Sequence, residues 1–206
     1  MNIDVIGPPL FEPVSIGDAF LQLRLGDPKS EDLEAHPFYS QIVRNITTAR
    51  MQVEQMTRRA LVQQTLRISY PGFTCGGRGL ELRRPPLREV LGVQYRDEDN
   101  ALQTVELEDW FVTDDLVPRL RFVDGWSAPG IFARRDAVSI EYVAGYPPDG
   151  SPPADQEDWA AGVPAPLKDA ILIGVEILQG AMSPGDRELL EQARENLVCS
   201  YRIHSR

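Results

Sequence analysis

Histidine and cysteine are scarce in this 206-residue chain, with two of each, and their scarcity closes off much chemistry at once. Cys75 and Cys199 lie far apart, in different segments, which reads as two free thiols in a reducing compartment rather than a disulfide framework. His36 falls in a loop and His204 near the last residue, and neither has a cysteine, histidine or carboxylate at metal-ligand spacing. No metal and no cofactor is expected. A Gly-x-Ser-x-Gly elbow is missing, so a Ser–His–Asp set would have to recruit one of those two histidines. Long apolar runs are missing as well. The most apolar window, Leu167–Met182, contains Lys168, Asp169, Glu176 and Gln179 and is too short to span a bilayer. No basic stretch followed by an apolar one opens the chain, so no secretory signal is expected, and the protein reads as soluble and cytoplasmic when made.

Positive charge is the other deficit. Lys and Arg total 21 against 31 Asp and Glu, for a net charge of −10. Holding nucleic acid by phosphate neutralisation needs a basic face, which this balance argues against. Standing close to DNA is a different matter, because a wall of like charge repels the duplex and lets it pass. Two local runs imitate ligand loops and fail on their details. Cys75-Gly76-Gly77-Arg78-Gly79 lacks the Lys-Ser/Thr end of a phosphate loop and lies between two strands, so a hairpin or bulged loop is expected. Asp97-Glu98-Asp99-Asn100 has neither the turn glycine nor the spaced glutamate of a calcium loop and reads as an acidic hairpin tip.

What the chain does have is periodicity, punctuated by 17 prolines and 16 glycines. From Ile42 the apolar residues fall at Ile46, Ala49, Val53, Met56 and Ala60, one stripe of a long helix, with Arg44, Thr48, Glu54, Gln55, Arg58 and Arg59 on the wet side. The period then changes to two in Gln64–Tyr70, so the chain is expected to pass from helix to strand without a loop. Ahead of this joint, residues 1–14 carry three prolines and read as an irregular lead-in. Ser15 with Asp18 makes a capping box for a helix buried through Ile16, Phe20 and Leu23 and stopped by Gly26-Asp27-Pro28.

Between Ala60 and Tyr146, short alternating runs appear at Gln64–Tyr70, Leu80–Leu82, Val90–Tyr95, Leu102–Leu107, Arg119–Val123 and Val138–Val143, with turn residues between them. That density predicts an antiparallel sheet folded into a small sandwich or barrel, with a hairpin across Asp97–Asn100. Residues 147–162 are rich in proline and acid and read as a linker. Pro164 and Pro166 open a third helix with a stripe at Leu167, Ile171, Gly174, Leu178 and Ala181. Ala170, Ile173 and Ile177 give it a second apolar side, which makes these three the candidates for a contact with another subunit. Ser183-Pro184-Gly185 breaks the chain before a fourth helix, with Leu190, Ala193 and Leu197 inside and Arg187/Glu191 and Glu191/Arg194 pairs outside. The fold class is therefore α+β: a discontinuous bundle of about four helices (1–61 plus 163–206) with a small antiparallel β-domain (62–146) inserted in it, and no internal repeat. Past the last helix, Leu197, Val198, Tyr201 and Ile203 alternate with Arg202 and His204. Such a tail suits a docking peptide or a segment packed back on its own bundle.

Several stretches carry a family likeness. They are Arg59-Ala60-Leu61-Val62-Gln63-Gln64-Thr65-Leu66 with Pro71-Gly72-Phe73, Leu80–Leu82 with Arg84-Pro85-Pro86-Leu87, and Val90–Tyr95. Further along come Val138–Gly145, Val163-Pro164-Ala165-Pro166-Leu167-Lys168, and the closing Tyr201-Arg202-Ile203. In this order and spacing they resemble tailed-phage head–tail connector (adaptor) proteins of the gp6-like family, in the branch with a β-insertion, over about residues 15–203. The resemblance implies a non-enzymatic structural protein of the virion neck, assembled in the host cytoplasm. It implies a homo-oligomeric, twelvefold ring beneath the portal protein that extends the DNA channel and receives a head-closure (stopper) or tail-completion protein, with no membrane involved. It makes Val198, Tyr201, Arg202 and Ile203 the portal-docking tail. A different class of reading is a soluble β-domain that binds a ligand through Trp110 and Trp126, residues that suit core or hairpin packing better. A hydrolase using scattered carboxylates ranks behind both.

Overall fold

The computed structural model describes residues 2–26, 32–73, 79–148, 160–180 and 182–204. These residues form four α-helices and two antiparallel sheets, of five and three strands, so the α+β expectation holds. Packing divides the chain into two compact units: Met1–Leu10 with Gln63–Gly145, and Phe11–Val62 with Tyr146–Arg206.

The second unit is helical. Helix α1 (Ile16–Gln22) starts with the capping box read from the sequence: the Ser15 hydroxyl accepts from the Asp18 amide at 3.0 Å, and the Asp18 carboxylate accepts from the Ser15 amide. It ends earlier than expected, at Leu23, where Arg24 turns the backbone left-handed; Asp27 and Pro28 lie outside the described residues. Helix α2 (Tyr39–Thr57) buries Ile42, Ile46, Ala49 and Val53 as its period requires. Two expectations about it need correcting. The helix does not run into the strand: Arg58 adopts φ 59 and the Arg59 amide reaches back to the Glu54 carbonyl, a Schellman-type ending that leaves residues 58–63 as a connector. And Glu54, placed on the wet side by period alone, is buried because Arg50 sits one turn away to pair with it.

Helix α3 (Ala165–Gln179) has Pro166 in its first turn and closes at Gly180, φ 79. Ala181, counted into its stripe, lies outside the described residues. Helix α4 (Pro184–Val198) overturns another reading. Ser183-Pro184-Gly185 starts this helix rather than breaking the chain, with the Ser183 hydroxyl accepting from the Asp186 amide and Pro184 in the first turn. Helix α3 packs against both α2 and α4. Of the linker 147–162, residues 149–159 fall outside the described part. Its two ends meet: a Cβ on Gly162 would stand 1.9 Å from the Pro147 carbonyl oxygen.

The first unit holds β1 (Asn2–Gly7), β2 (Gln64–Tyr70), β3 (Leu80–Glu81), β4 (Leu87–Arg96), β5 (Leu102–Thr104), β6 (Trp110–Val112), β7 (Arg119–Phe122) and β8 (Val138–Ala144). The large sheet runs β1-β2-β8-β4-β5 and the small one β3-β7-β6. In register, Leu66 faces Tyr142, Ile68 faces Ile140 and Tyr70 faces Val138. Because alternate residues share a face, this whole set is buried while Arg67 and Glu141 pair across the other face at 2.9 Å. Two hydroxyls tie β3 and the segment after it to this core: Tyr70 donates to the Glu81 carbonyl, and Tyr142 to the Arg83 carbonyl at 2.6 Å. The irregular lead-in is corrected here, since Asn2–Gly7 is β1, an edge strand whose exposure does not alternate.

Candidate interaction surfaces

The tail after α4 is packed against its own unit. Val198 is fully buried and Ile203 nearly so, with a 3-10 turn at Cys199–Tyr201 between them. The last carbonyls of a helix lack partners inside it, and positive charge is favoured beside them. Here the tail supplies both. Arg202 Nε donates to the Met56 carbonyl at 3.0 Å and the Ile203 amide to the Thr57 carbonyl at 3.0 Å, so the tail caps the end of α2. Arg59 Nε returns the contact, donating to the Tyr201 carbonyl at 2.7 Å, and Arg202 pairs with Glu195 at 2.8 Å. Burial pushes the nearby Tyr146 phenol above its ordinary range, against an opposing pull from Arg59. Of the four tail residues named from sequence, only Tyr201 and Arg202 keep partial exposure; among the described tail residues, Cys199, Ser200 and His204 are exposed.

The three candidates on α3 fare similarly. Ala170 and Ile177 are buried in the chain's own core, and only Ile173 retains surface. The second apolar side of α3 is covered because α2 and α4 both lie against this helix. Outside, Arg187 and Glu191 pair at 3.0 Å as read from the sequence. Arg194 does not join them; it turns inward, and its guanidinium donates to the Gln52 side-chain oxygen at 2.8 Å.

A buried charge cluster was missed by sequence reading. Arg50 pairs with Glu12 at 2.7 Å and with Glu54 at 2.9 Å, while Glu54 also accepts the Leu61 amide at 3.0 Å and Glu12 accepts the Thr47 hydroxyl. It fastens the segment before α1 and the connector after α2 onto the same helix. The available signal was Arg50 and Glu54 at i,i+4 beside the apolar stripe.

Across Asp97–Asn100 the acidic hairpin tip forms as expected. Asp97 accepts from the Asp99 and Ala101 amides and from the Gln103 side chain, with Asn100 left-handed at φ 63. The Gln103 bond, followed by the Ala101 amide, lowers the Asp97 pKa below the ordinary carboxylate range. Of the proposed ligand tryptophans, Trp126 stacks on Phe122 at 4.0 Å and meets Phe73 edge-on, so its ring is engaged in packing. Trp110 stands opposite Phe122 in the β6–β7 register, and its indole Nε1 is buried. His36 accepts the Phe38 amide and packs edge-on to Phe20 ahead of α2. Among the described residues no group of three or more His, Cys, Asp or Glu is placed to hold a metal, and no helix is long and apolar enough to cross a membrane. Cys75 and most of its glycine-rich run lie outside the described residues.

No family model and no curated protein matches this chain. Solved structures do. One chain in the virion of native gene transfer agent (GTA) particle superimposes with a TM-score of 0.73 at 16% identity, covering 100% of this chain and 97% of that one. A chain in the neck of empty GTA particle computed with C6 symmetry gives 0.72 at 16% identity, with the same coverage. A chain in the neck of native GTA particle computed with C12 symmetry gives 0.62 at 15%, again over 100% and 97%. At this identity the likeness is one of fold, and it extends over all of this chain and 97% of each of the others.

Proposed function

We propose that this chain is a head–tail connector in the neck of a phage-like particle, a non-enzymatic structural subunit of the adaptor kind. The observation that carries the reading is the end-to-end fold likeness to chains in GTA particles, two of those structures being necks. The sequence resemblance to the gp6-like branch with a β-insertion supports the adaptor reading, and the fold likeness supports its coarser part, a neck component of a phage-like particle. In this reading the subunits form a homo-oligomeric, twelvefold ring under the portal protein, extend the DNA channel, and receive a head-closure or tail-completion protein below. Subunits are made in the host cytoplasm and end in the virion. DNA passes without sequence-specific contact; a net charge of −10 per subunit supports a repulsive wall.

The tail remains the proposed portal contact, with a refinement. Because Val198 and Ile203 are buried and Arg202 caps α2, deletion of residues 198–206 would disturb the helical unit itself. The contact is therefore assigned to the exposed side of the turn, Cys199, Ser200 and His204 with the free edge of Tyr201. The test is a particle preparation from cells lacking this chain. Filled heads and separate tails that join when the purified chain is added support the reading; normal tailed particles in its absence refute it.

A further inference from the structure

The exposed stripes of α2 and α4 carry opposite charge. Along α2, residues Arg44, Thr48, Met51 and Gln55 recur at helical spacing on the face away from the core, with Val43 beside them and Arg58 just past the end. The one carboxylate of this 19-residue helix, Glu54, is buried against Arg50. The outward face is thus cationic and neutral, with Met51 59% exposed. Along α4 the outward face presents Asp186, Glu188, Leu189, Gln192 and Asn196. Its arginines do not offset it: Arg187 is tied to Glu191 and Arg194 is turned inward to Gln52. Glu188 has no basic partner among the described residues, and beside it Leu189 is 70% exposed. From Arg44 to Gln55 and from Asp186 to Asn196, each stripe is about 15 Å long at 1.5 Å per residue. Both helices pack on α3, and Arg194 of α4 also reaches Gln52 of α2, so the two stripes belong to one unit.

We propose that the outward stripe of α2 on one copy packs against the outward stripe of α4 on the next, Arg44 meeting Glu188 and Met51 meeting Leu189. Unlike patches that meet head to tail generate a ring when the rotation closes. Opposite potentials choose this pairing over α2 on α2 or α4 on α4, where like charges would face each other. The inference deepens the ring reading and rests on it. It moves the subunit contact away from Ala170, Ile173 and Ile177, two of which are already spent on the core.

The test is a charge exchange followed by sedimentation velocity on the full chain, alone and with a portal ring, each variant's fold checked by circular dichroism. Arg44→Glu or Glu188→Arg alone is expected to weaken self-association by about tenfold or more, and the two together in one chain to restore it. In a Cys75→Ser, Cys199→Ser background, Met51→Cys combined with Leu189→Cys is expected to give a ladder of oxidised multimers, which neither cysteine alone produces. A ladder that stops at dimer means a two-fold contact and overturns the proposal. Rings that form undiminished with Arg44→Glu reject this interface and leave the ring reading standing. A wild-type chain that forms no ring, together with a double-cysteine variant that forms no ladder, alone or with the portal, rejects both.

Discussion

Gly174 on α3 faces Ala49 on α2 so closely that a Cβ added to Gly174 would lie 2.9 Å from the Ala49 Cβ, nearer than real Cβ atoms approach. Both neighbours are deep in the core of the helical unit, where Ala49 and Gly174 are fully buried or nearly so. This crossing, roofed by the Arg194 guanidinium, sets how near the two helices pack. Gly174→Ala is expected to destabilise the protein despite the better helix propensity of alanine, by about 1–3 kcal/mol for overpacking. Urea denaturation measures it; an unchanged or raised midpoint would show that the helices part at no cost.

Arg50 and its two carboxylates offer a second check. Removing one member of a buried ion pair strands the other charge, which typically costs about 3–5 kcal/mol. Arg50→Ala should approach that range, since it removes the cation paired with the buried Glu54 carboxylate. Glu12, at 26% side-chain exposure, should matter less, because water can partly replace its partner. Equal losses from Arg50→Ala and Glu12→Ala would contradict this ranking.

In the β-unit, Tyr142→Phe removes the hydroxyl that satisfies the Arg83 carbonyl and leaves the ring packing in place. A loss of about 1–2 kcal/mol is expected for an orphaned, partly buried acceptor. Burial holds the phenol protonated well above its ordinary range, so this contact should survive across alkaline conditions that ionise free tyrosine. Ultraviolet titration would reveal an early-ionising phenol if it does not.

The Asp97 tip should respond to acid. A carboxylate whose folded pKa is depressed contributes order that is present above its unfolded value and is lost as pH falls through the folded one. Its chief cause is the Gln103 side chain. The Asp99 and Ala101 amide resonances should therefore shift together, with a midpoint below the ordinary carboxylate range, and Asp97→Asn should abolish the transition. A midpoint at the ordinary value would mean that the Gln103 bond does not hold in solution.

Legibility from sequence followed periodicity. Helix α2 and strands β2 and β8 were placed within a few residues because Ile42–Val53 and Gln64–Tyr70 each repeat the period of one element with one buried face. Strand β1 was missed because an edge strand with exposed Val5 and Ile6 has no alternation to read, and β6 because Trp110-Phe111-Val112 is apolar throughout and shows no alternation. The direct passage from helix to strand failed on Arg58, a non-glycine residue in a left-handed ending that no composition rule marks. For the surfaces, the hydrophobic residues of α3 and the tail were correctly seen as apolar. What covers them is tertiary information: α2 and α4 lie over α3, and the end of α2 receives the tail. The exposed stripes of α2 and α4 became visible only after Glu54 and Arg194 proved to point inward.

The central claim, a neck adaptor seated on a portal, is tested most directly by light-scattering mass on this protein mixed with an intact cognate portal ring and separated by size. Co-elution with a mass gain of about one chain per portal subunit is the predicted result, as symmetry matching in a closed ring requires. An intact portal that elutes at its own mass, with this chain separate, would contradict the account and leave the fold likeness without the function.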